Sequence, residues 1–189
     1  MALLLVPAFA QDSSGEKFTI DPVHSTALFR VKHQGAGAFY GRFNDVKGTI
    51  EVTKGGKSLN VDVTIAIASV DSGSEKLDGH LKSGDFFDAE KYPSMTFKSK
   101  KVKRVKKGEY DVTGDLTIRD VTKSITVRVK ETGMADGRRG KKCGYEAEFT
   151  IKRSEYGIKY GVAQGALGDE TKVIIAIEAG QRKQSGRGR

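Results

Sequence analysis

Leu59-Asn60-Val61-Asp62-Val63-Thr64-Ile65-Ala66-Ile67-Ala68-Ser69 is the most regular stretch of the chain. Leu59, Val61, Val63, Ile65, Ile67 and Ser69 share one parity, while Asn60, Asp62 and Thr64 take the other. Successive side chains of a strand leave opposite faces, so this period of two predicts a strand with one buried face and one wet face. Ala66 and Ala68 are small on the second face, which predicts close approach by another element there.

The alternation recurs on both sides of this stretch. It returns in Ala27, Phe29 and Val31; in Gly48, Ile50 and Val52; in Met95, Phe97 and Ser99; and in Tyr110, Val112, Gly114, Leu116 and Ile118. Three further strands are expected at 125–129, 143–151 and 172–179. Between strands lie Gly55-Gly56, Lys107-Gly108, Arg119-Asp120 and Asp136-Gly137, residue types that tolerate tight or positive-φ turns. About eight strands at near-regular spacing predict an all-β fold, an antiparallel meander closed into an eight-stranded barrel.

Two stretches break the pattern. Over 71–93 the alternation fails, and Ser74 ahead of Leu77, Leu81 and Phe86-Phe87 predicts one short N-capped helix that plugs or gates an end of the barrel. Over 34–43, Gly35, Gly37 and Gly41 mix with Phe39, Tyr40 and Phe43, which predicts an aromatic-glycine loop at the barrel mouth or wall.

The 189 residues are long enough for one domain with a sizeable core. With 23 Gly, 3 Pro and no Trp, the composition predicts many turns and few helices. In segment 1–14, Leu3, Leu4, Leu5, Val6, Ala8 and Phe9 form a short apolar run closed by Ala8-Phe9-Ala10. This resembles the h-region and cleavage site of a secretory signal peptide that lacks its basic n-region, and predicts a periplasmic or secreted protein. The alternative is a frayed apolar start with no targeting role. The barrel domain is expected over 17–181, and the basic Gly-, Ser- and Gln-containing tail 182–189 is expected to be disordered.

Chemistry-bearing clusters are sparse. His24, His33 and His80 lack metal-motif spacing, and the single Cys143 falls in an expected strand, where free Cys packs as a small hydrophobe. No metal or cofactor is expected. Asp85 with Asp88, and Asp169 with Glu170, fall in loops or helix ends where carboxylates solvate and cap. No nucleophile elbow or phosphate loop is present. The formal charge of +9 is scattered along strands and concentrated in the tail, without a stacking platform for single-stranded nucleic acid. Its more natural use is attraction to an anionic membrane surface or a diphosphate headgroup, with Lys82, Arg153 and Lys159 as examples.

Several segments together resemble the YceI-like family of lipid-binding proteins. They are Asp21-Pro22-x-His24-Ser25 followed by Phe29-x-Val31-x-His33; Gly41-x-Phe43 with Gly48-x-Ile50; Ser69-Val70; His80-Leu81 with Asp85-Phe86-Phe87-Asp88; Tyr92-Pro93-x-Met95-x-Phe97; Gly114-x-Leu116-Thr117-Ile118-Arg119; and Arg153-x-x-Tyr156-Gly157-Ile158. They run in family order over 18–178. Two positions depart from the pattern: Asp120 stands where the family has Gly, and Asp78-Gly79 where it has Arg-Asp.

The resemblance implies a lipocalin-like barrel whose central channel holds a polyisoprenoid chain, such as an isoprenoid quinone or a polyprenyl phosphate, often in exported bacterial proteins. An eight-stranded interior either fills with side chains or holds one slender ligand. Gly48, Ser69, Ser99, Gly114 and Ala147 on the inward parity leave room for a channel. The inward apolar candidates for its lining are Phe29, Val31, Phe43, Val63, Ile65, Ile67, Phe86, Phe87, Phe97, Leu116 and Phe149; His24, His80 and Arg153 are candidates for the rim or a headgroup contact.

The leading expectation is therefore a carrier or store of a long-chain isoprenoid lipid, not an enzyme, with a homodimer left open. The alternatives are a barrel isomerase or cyclase acting on a lipid, and a stress-related surface-binding protein with a filled barrel.

Overall fold

The structure, a computed structural model, describes residues 15–53, 55–138 and 140–181; the signal-peptide-like segment 1–14 and the tail 182–189 lie outside the described residues. The alternating segments form β1 (Glu16–Ile20), β2 (Thr26–His33), β3 (Gly37–Phe43), β4 (Val46–Val52), β5 (Leu59–Ala66) and β6 (Val70–Asp71). Helix α1 (Glu75–Lys82) follows, then β7 (Ser94–Lys106), β8 (Glu109–Ile118), β9 (Val121–Gly137), β10 (Gly140–Lys152) and β11 (Leu167–Gly180).

Pairing joins the first six strands into three broken passes. Ile20 of β1 opposes Ala179 and Ala27 of β2 opposes Ile175, so both run along β11. Likewise β3 and β4 follow β2 and β1, while β5 and β6 follow β4 and β3. The remaining passes pair in sequence order, and β1 closes on β11. The result is a closed eight-stranded antiparallel up-and-down barrel with one helix.

Each break has a local cause. Pro22 has no N–H to give a ladder, and Ser25 replaces it: its Oγ donates to the Glu178 carbonyl and accepts the Glu178 N–H. At the β3–β4 corner the Asp45 N–H donates to Ser69 Oγ. Gly48, at φ 140°, lies so close to β5 that a Cβ there would sit 1.9 Å from the Asp62 carbonyl oxygen.

Three sequence expectations change. The stretch 34–43 is not a loop throughout: Gly37–Phe43 is a full wall strand, with Phe39 opposite Val31 and Phe43 opposite Ala27. The long strand ends at Ala66, where Ile67–Ser69 makes a 3₁₀ turn. Ser74 is the N-cap of α1, but its side chain makes no capping bond; the Asp78 carboxylate instead accepts the Ser72 N–H at 2.7 Å.

The two barrel ends differ. At the end where β4 and β9 finish and the 107–108 turn lies, Phe18, Val52, Leu59, Tyr110, Val112, Cys143 and Ala179 are almost fully buried. Tyr110 fastens this plug by donating its hydroxyl to the Gly56 carbonyl at 2.9 Å. At the other end the wall parts: β6 stops at Asp71, β7 begins at Ser94, and the 71–93 excursion with α1 covers the gap.

Candidate functional site

A cavity of about 700 Å³ occupies the barrel interior from the α1 end inward. Phe97, Leu116 and Phe149 point inward yet are only half-buried, because they face this space and not packed side chains. The register of β10 and β11 sets its length. Ile151 opposes Thr171 near the mouth, and Tyr145 opposes Ile177 toward the closed end. All four line the cavity, and six strand residues span about 20 Å.

Ten of the eleven apolar residues picked out in the sequence line this space: Phe29, Val31, Phe43, Val63, Ile65, Phe86, Phe87, Phe97, Leu116 and Phe149. Ile67 does not. It lies in the 3₁₀ turn, 1% exposed, with its N–H on the Pro93 carbonyl, so it is ordinary core. Rings run along the mouth side of the cavity, Phe39 to Phe29 at 6.2 Å, Phe29 to Phe43 at 5.7 Å and Phe43 to Phe87 at 5.3 Å.

The small inward residues do not shape the channel as expected. Of the five, Ala147 alone is part of the lining. A Cβ on Gly114 would lie 2.6 Å from Phe97 Cζ, so that glycine seats an aromatic ring. Ser99 and Ser69 use their hydroxyls to hold backbone N–H groups of Val61 and Asp45.

The polar candidates separate into three situations. His24 is outside the cavity: its Nδ1 pairs with Asp21 Oδ2 at 2.9 Å and lies 4.0 Å from Glu178 Oε1, and Glu178 also pairs with Lys142. Asp21, His24 and Glu178 offer atoms within 4.8 Å of one another that could hold a metal ion; in the structure His24 pairs with Asp21 and Glu178 with Lys142. Asp21 is held below the usual carboxylate range, first by its bond to His24.

His80 does line the cavity, at its mouth. Its Nε2 pairs with the exposed Asp85 at 2.9 Å, and its ring meets Phe86 at 4.9 Å and Tyr160 at 5.0 Å, both edge-on. Phe86 and Tyr160 complete the trio at 5.2 Å.

Arg153 also lines the cavity, but its guanidinium is taken up by the backbone. It donates to the carbonyls of Gly168 (2.8 Å), Ile158 (3.2 Å), Tyr160 (2.8 Å) and Leu167 (3.3 Å), so it fixes the β10–β11 connection instead of offering a free headgroup contact. Burial lowers its pKa, with Asp169 opposing that shift. Burial acts to raise Asp169 itself, but the Ser154 N–H and hydroxyl outweigh it and hold the carboxyl below its ordinary value.

Sequence reasoning left out lining residues such as Ile50, Val61, Ile118, Val129, Tyr145, Val173, Ile175 and Ile177. Most lie on parities already assigned to strands, so carrying the inward face around every strand would have found them. Leu77 and Tyr160 come from the helix and the β10–β11 connection, where no periodicity points to them. Cys143, beyond the closed end of the lining, is buried and its thiol is pushed up to about 12 by burial, then by Glu131, Glu16 and Glu178. That keeps it an inert thiol.

The family model of the YceI-like domain matches residues 18–179. The "Protein YceI" of Escherichia coli O157:H7 is 36% identical over 184 residues, covering 96% of this chain and 95% of the relative. Among solved structures, Burkholderia cenocepacia BcnA superposes with TM-score 0.76 at 24% identity, covering 85% of this chain and 99% of that one. A polyisoprenoid binding domain from Saccharophagus degradans superposes with TM-score 0.66 at 14% identity, over 86% of this chain and 97% of the other.

Proposed function

Given that the chain belongs to the YceI-like domain family, we propose that its barrel binds a long-chain isoprenoid lipid and carries or stores it in the cell envelope, without transforming it. The observation that carries this is the cavity: about 700 Å³, within the range of ligand sites, about 20 Å long and lined almost wholly by aliphatic and aromatic side chains. The barrel is therefore not filled by its own side chains, as the surface-binding alternative requires. A polyisoprenoid is long, slender and apolar, and the polyisoprenoid binding domain of Saccharophagus degradans shares this fold.

Burial of apolar carbon supplies the affinity. Each methylene contributes about 0.8 kcal/mol, so a five-carbon unit contributes roughly 4 kcal/mol, and a few units exceed the cost of association. Binding is favoured over catalysis because His80 has its Nε2 on an exposed carboxylate at the mouth, and the cationic Arg153 has its donors on carbonyls. An isoprenoid quinone and a polyprenyl phosphate both meet the apolar requirement. Placement in the envelope rests on the signal-peptide-like segment 1–14, and contact with an anionic membrane surface on the net charge of +9.

Native mass spectrometry of the purified protein, with organic extraction of what it releases, tests this function. The expected result is one apolar species per chain, built from five-carbon units. A bare chain mass, together with failure to take up added isoprenoid quinone, overturns it.

A further inference from the structure

We propose that the rim of the barrel mouth, made by the tip of the β2–β3 hairpin and the loop 159–166, docks on an anionic lipid bilayer, so that the lipid moves between channel and membrane without crossing water. This rests on the lipid-binding function above and assigns that site its partner surface.

The two pieces form one surface around the opening. The Gln34 N–H donates to the Ala166 carbonyl at 2.8 Å, and His33 opposes Leu167. His33, Gln34, Gly37, Ala38, Tyr160 and Ala166 all belong to the cavity lining, so the channel opens against them. The loop is held in shape: Arg153 bonds the carbonyls of Ile158, Tyr160 and Leu167, while the Lys159 and Gly161 carbonyls accept the Val162 and Leu167 N–H groups.

The charge of this rim has one sign. From Pro22 to Asn44 and from Tyr156 to Gly168 the sequence contains no Asp or Glu, yet it contains Arg30, Lys32, Arg42 and Lys159. Arg42 opposes Asp71, and Arg30 lies over the Tyr40 ring at 6.0 Å. Lys32 and Lys159 are exposed and, among the described residues, in no ion pair. The carboxylates that neighbouring elements bring to this end are engaged or opposed: Asp85 pairs with His80, Asp169 bonds Ser154, and Glu170 opposes Lys152. Between the cations, Ala36, Ala38 and Ala163 are exposed, and Tyr40 and Tyr160 are 54% and 48% exposed. Tyrosine rings of this kind suit the boundary between headgroups and hydrocarbon.

A bilayer fits this rim better than a folded partner does. It offers anionic headgroups to the cations and, directly beneath them, the apolar phase that an isoprenoid leaves or enters, whereas a protein seated there would close the opening. The opposite end also carries exposed cations, Lys103, Arg104 and Lys107, but acids stand among them, with Lys106 on Glu109 and Arg128 on Asp111, and Tyr110 and its buried neighbours plug the barrel there.

The chain has no Trp, so Ala36→Trp at the rim and Val105→Trp at the closed end each supply a single reporter. The probes are vesicles of phosphatidylcholine with and without phosphatidylglycerol. On the anionic vesicles the emission of Ala36→Trp is expected to shift to the blue and that of Val105→Trp to stay unchanged. In co-sedimentation, Lys32→Gln/Lys159→Gln should bind these vesicles roughly twenty- to thirtyfold more weakly than the wild type, about fivefold per cation. Lys103→Gln/Lys107→Gln carries the same change in charge and should stay within about twofold of the wild type, because screening removes its effect across the length of the barrel. Uptake of isoprenoid quinone in the absence of vesicles, followed by calorimetry, should be the same in all four variants.

A blue shift at residue 105 and not at residue 36, or an equal loss in the two double variants, overturns docking by the rim. So does a wild type that takes up quinone but binds neither kind of vesicle; the rim then fits an acidic protein surface, and lipid binding stands. If the wild type takes up no quinone, the lipid-binding function falls and the docking falls with it.

Discussion

Arg153 shows how a single residue type can point to the wrong role. In the sequence it is a cation in a family motif, which suits a headgroup; in the barrel it is 6% exposed and bonds four backbone carbonyls. Arg153→Met keeps the bulk and removes every donor. Charge-assisted bonds of this kind contribute about 1.5–3 kcal/mol each in isolation, and they are not additive, so the variant should lose about 3 kcal/mol in urea unfolding. Its neighbour Asp169 gives the cluster a pH dependence. With a folded pKa below the ordinary aspartate value, Asp169 contributes stability that is present in full above about pH 4 and is lost as pH falls through the folded value. Asp169→Asn should therefore show a lower unfolding midpoint at neutral pH and a flatter acid limb than the wild type. A parallel pair of acid limbs would remove Asp169 as their source.

At the scale of elements, the strands whose apolar residues keep parity over at least three repeats were legible, and so were the turns between them. The strands that were missed have specific reasons. β3 reads as a loop because Gly37 and Gly41 interrupt its apolar face, yet Gly41 is small because the Phe29 ring lies against it; a Cβ there would come within 2.3 Å of that ring. β1 is short and separated from β2 by Pro22, so neither piece shows that they are one pass along β11. Parity also misleads where a strand ends unannounced: extending it past Ala66 put Ile67 in the cavity, but the 3₁₀ turn carries that side chain into the core. The mouth was the least legible part. Its trio of His80, Phe86 and Tyr160 joins α1, the segment after it and the β10–β11 connection, three pieces that only the closed barrel brings together.

For the molecule as a whole, a hollow barrel gives up contacts that a filled one would make. Side chains such as Leu116, Phe97 and Ala147 border open space and lack packing partners on one side, which forfeits dispersion energy in the empty protein. A ligand that fills the space restores those contacts, and binding to the native state alone raises stability by mass action. Function and stability are thus linked through one volume, and a side chain can take the place of the lipid. Ala147 lies mid-channel on β10, between Val129 of β9 and Ile175 of β11, facing the cavity. Ala147→Phe should place a ring across the channel. The expected outcome is a variant that retains no extractable lipid, unfolds at the same or a higher temperature than the stripped wild type, and gains nothing when isoprenoid quinone is added, whereas the stripped wild type gains several degrees. Differential scanning calorimetry of both proteins with and without quinone checks this. If Ala147→Phe is stabilised by added quinone as much as the wild type, the lipid does not occupy the channel at the depth of residue 147, and the barrel interior is not the binding site.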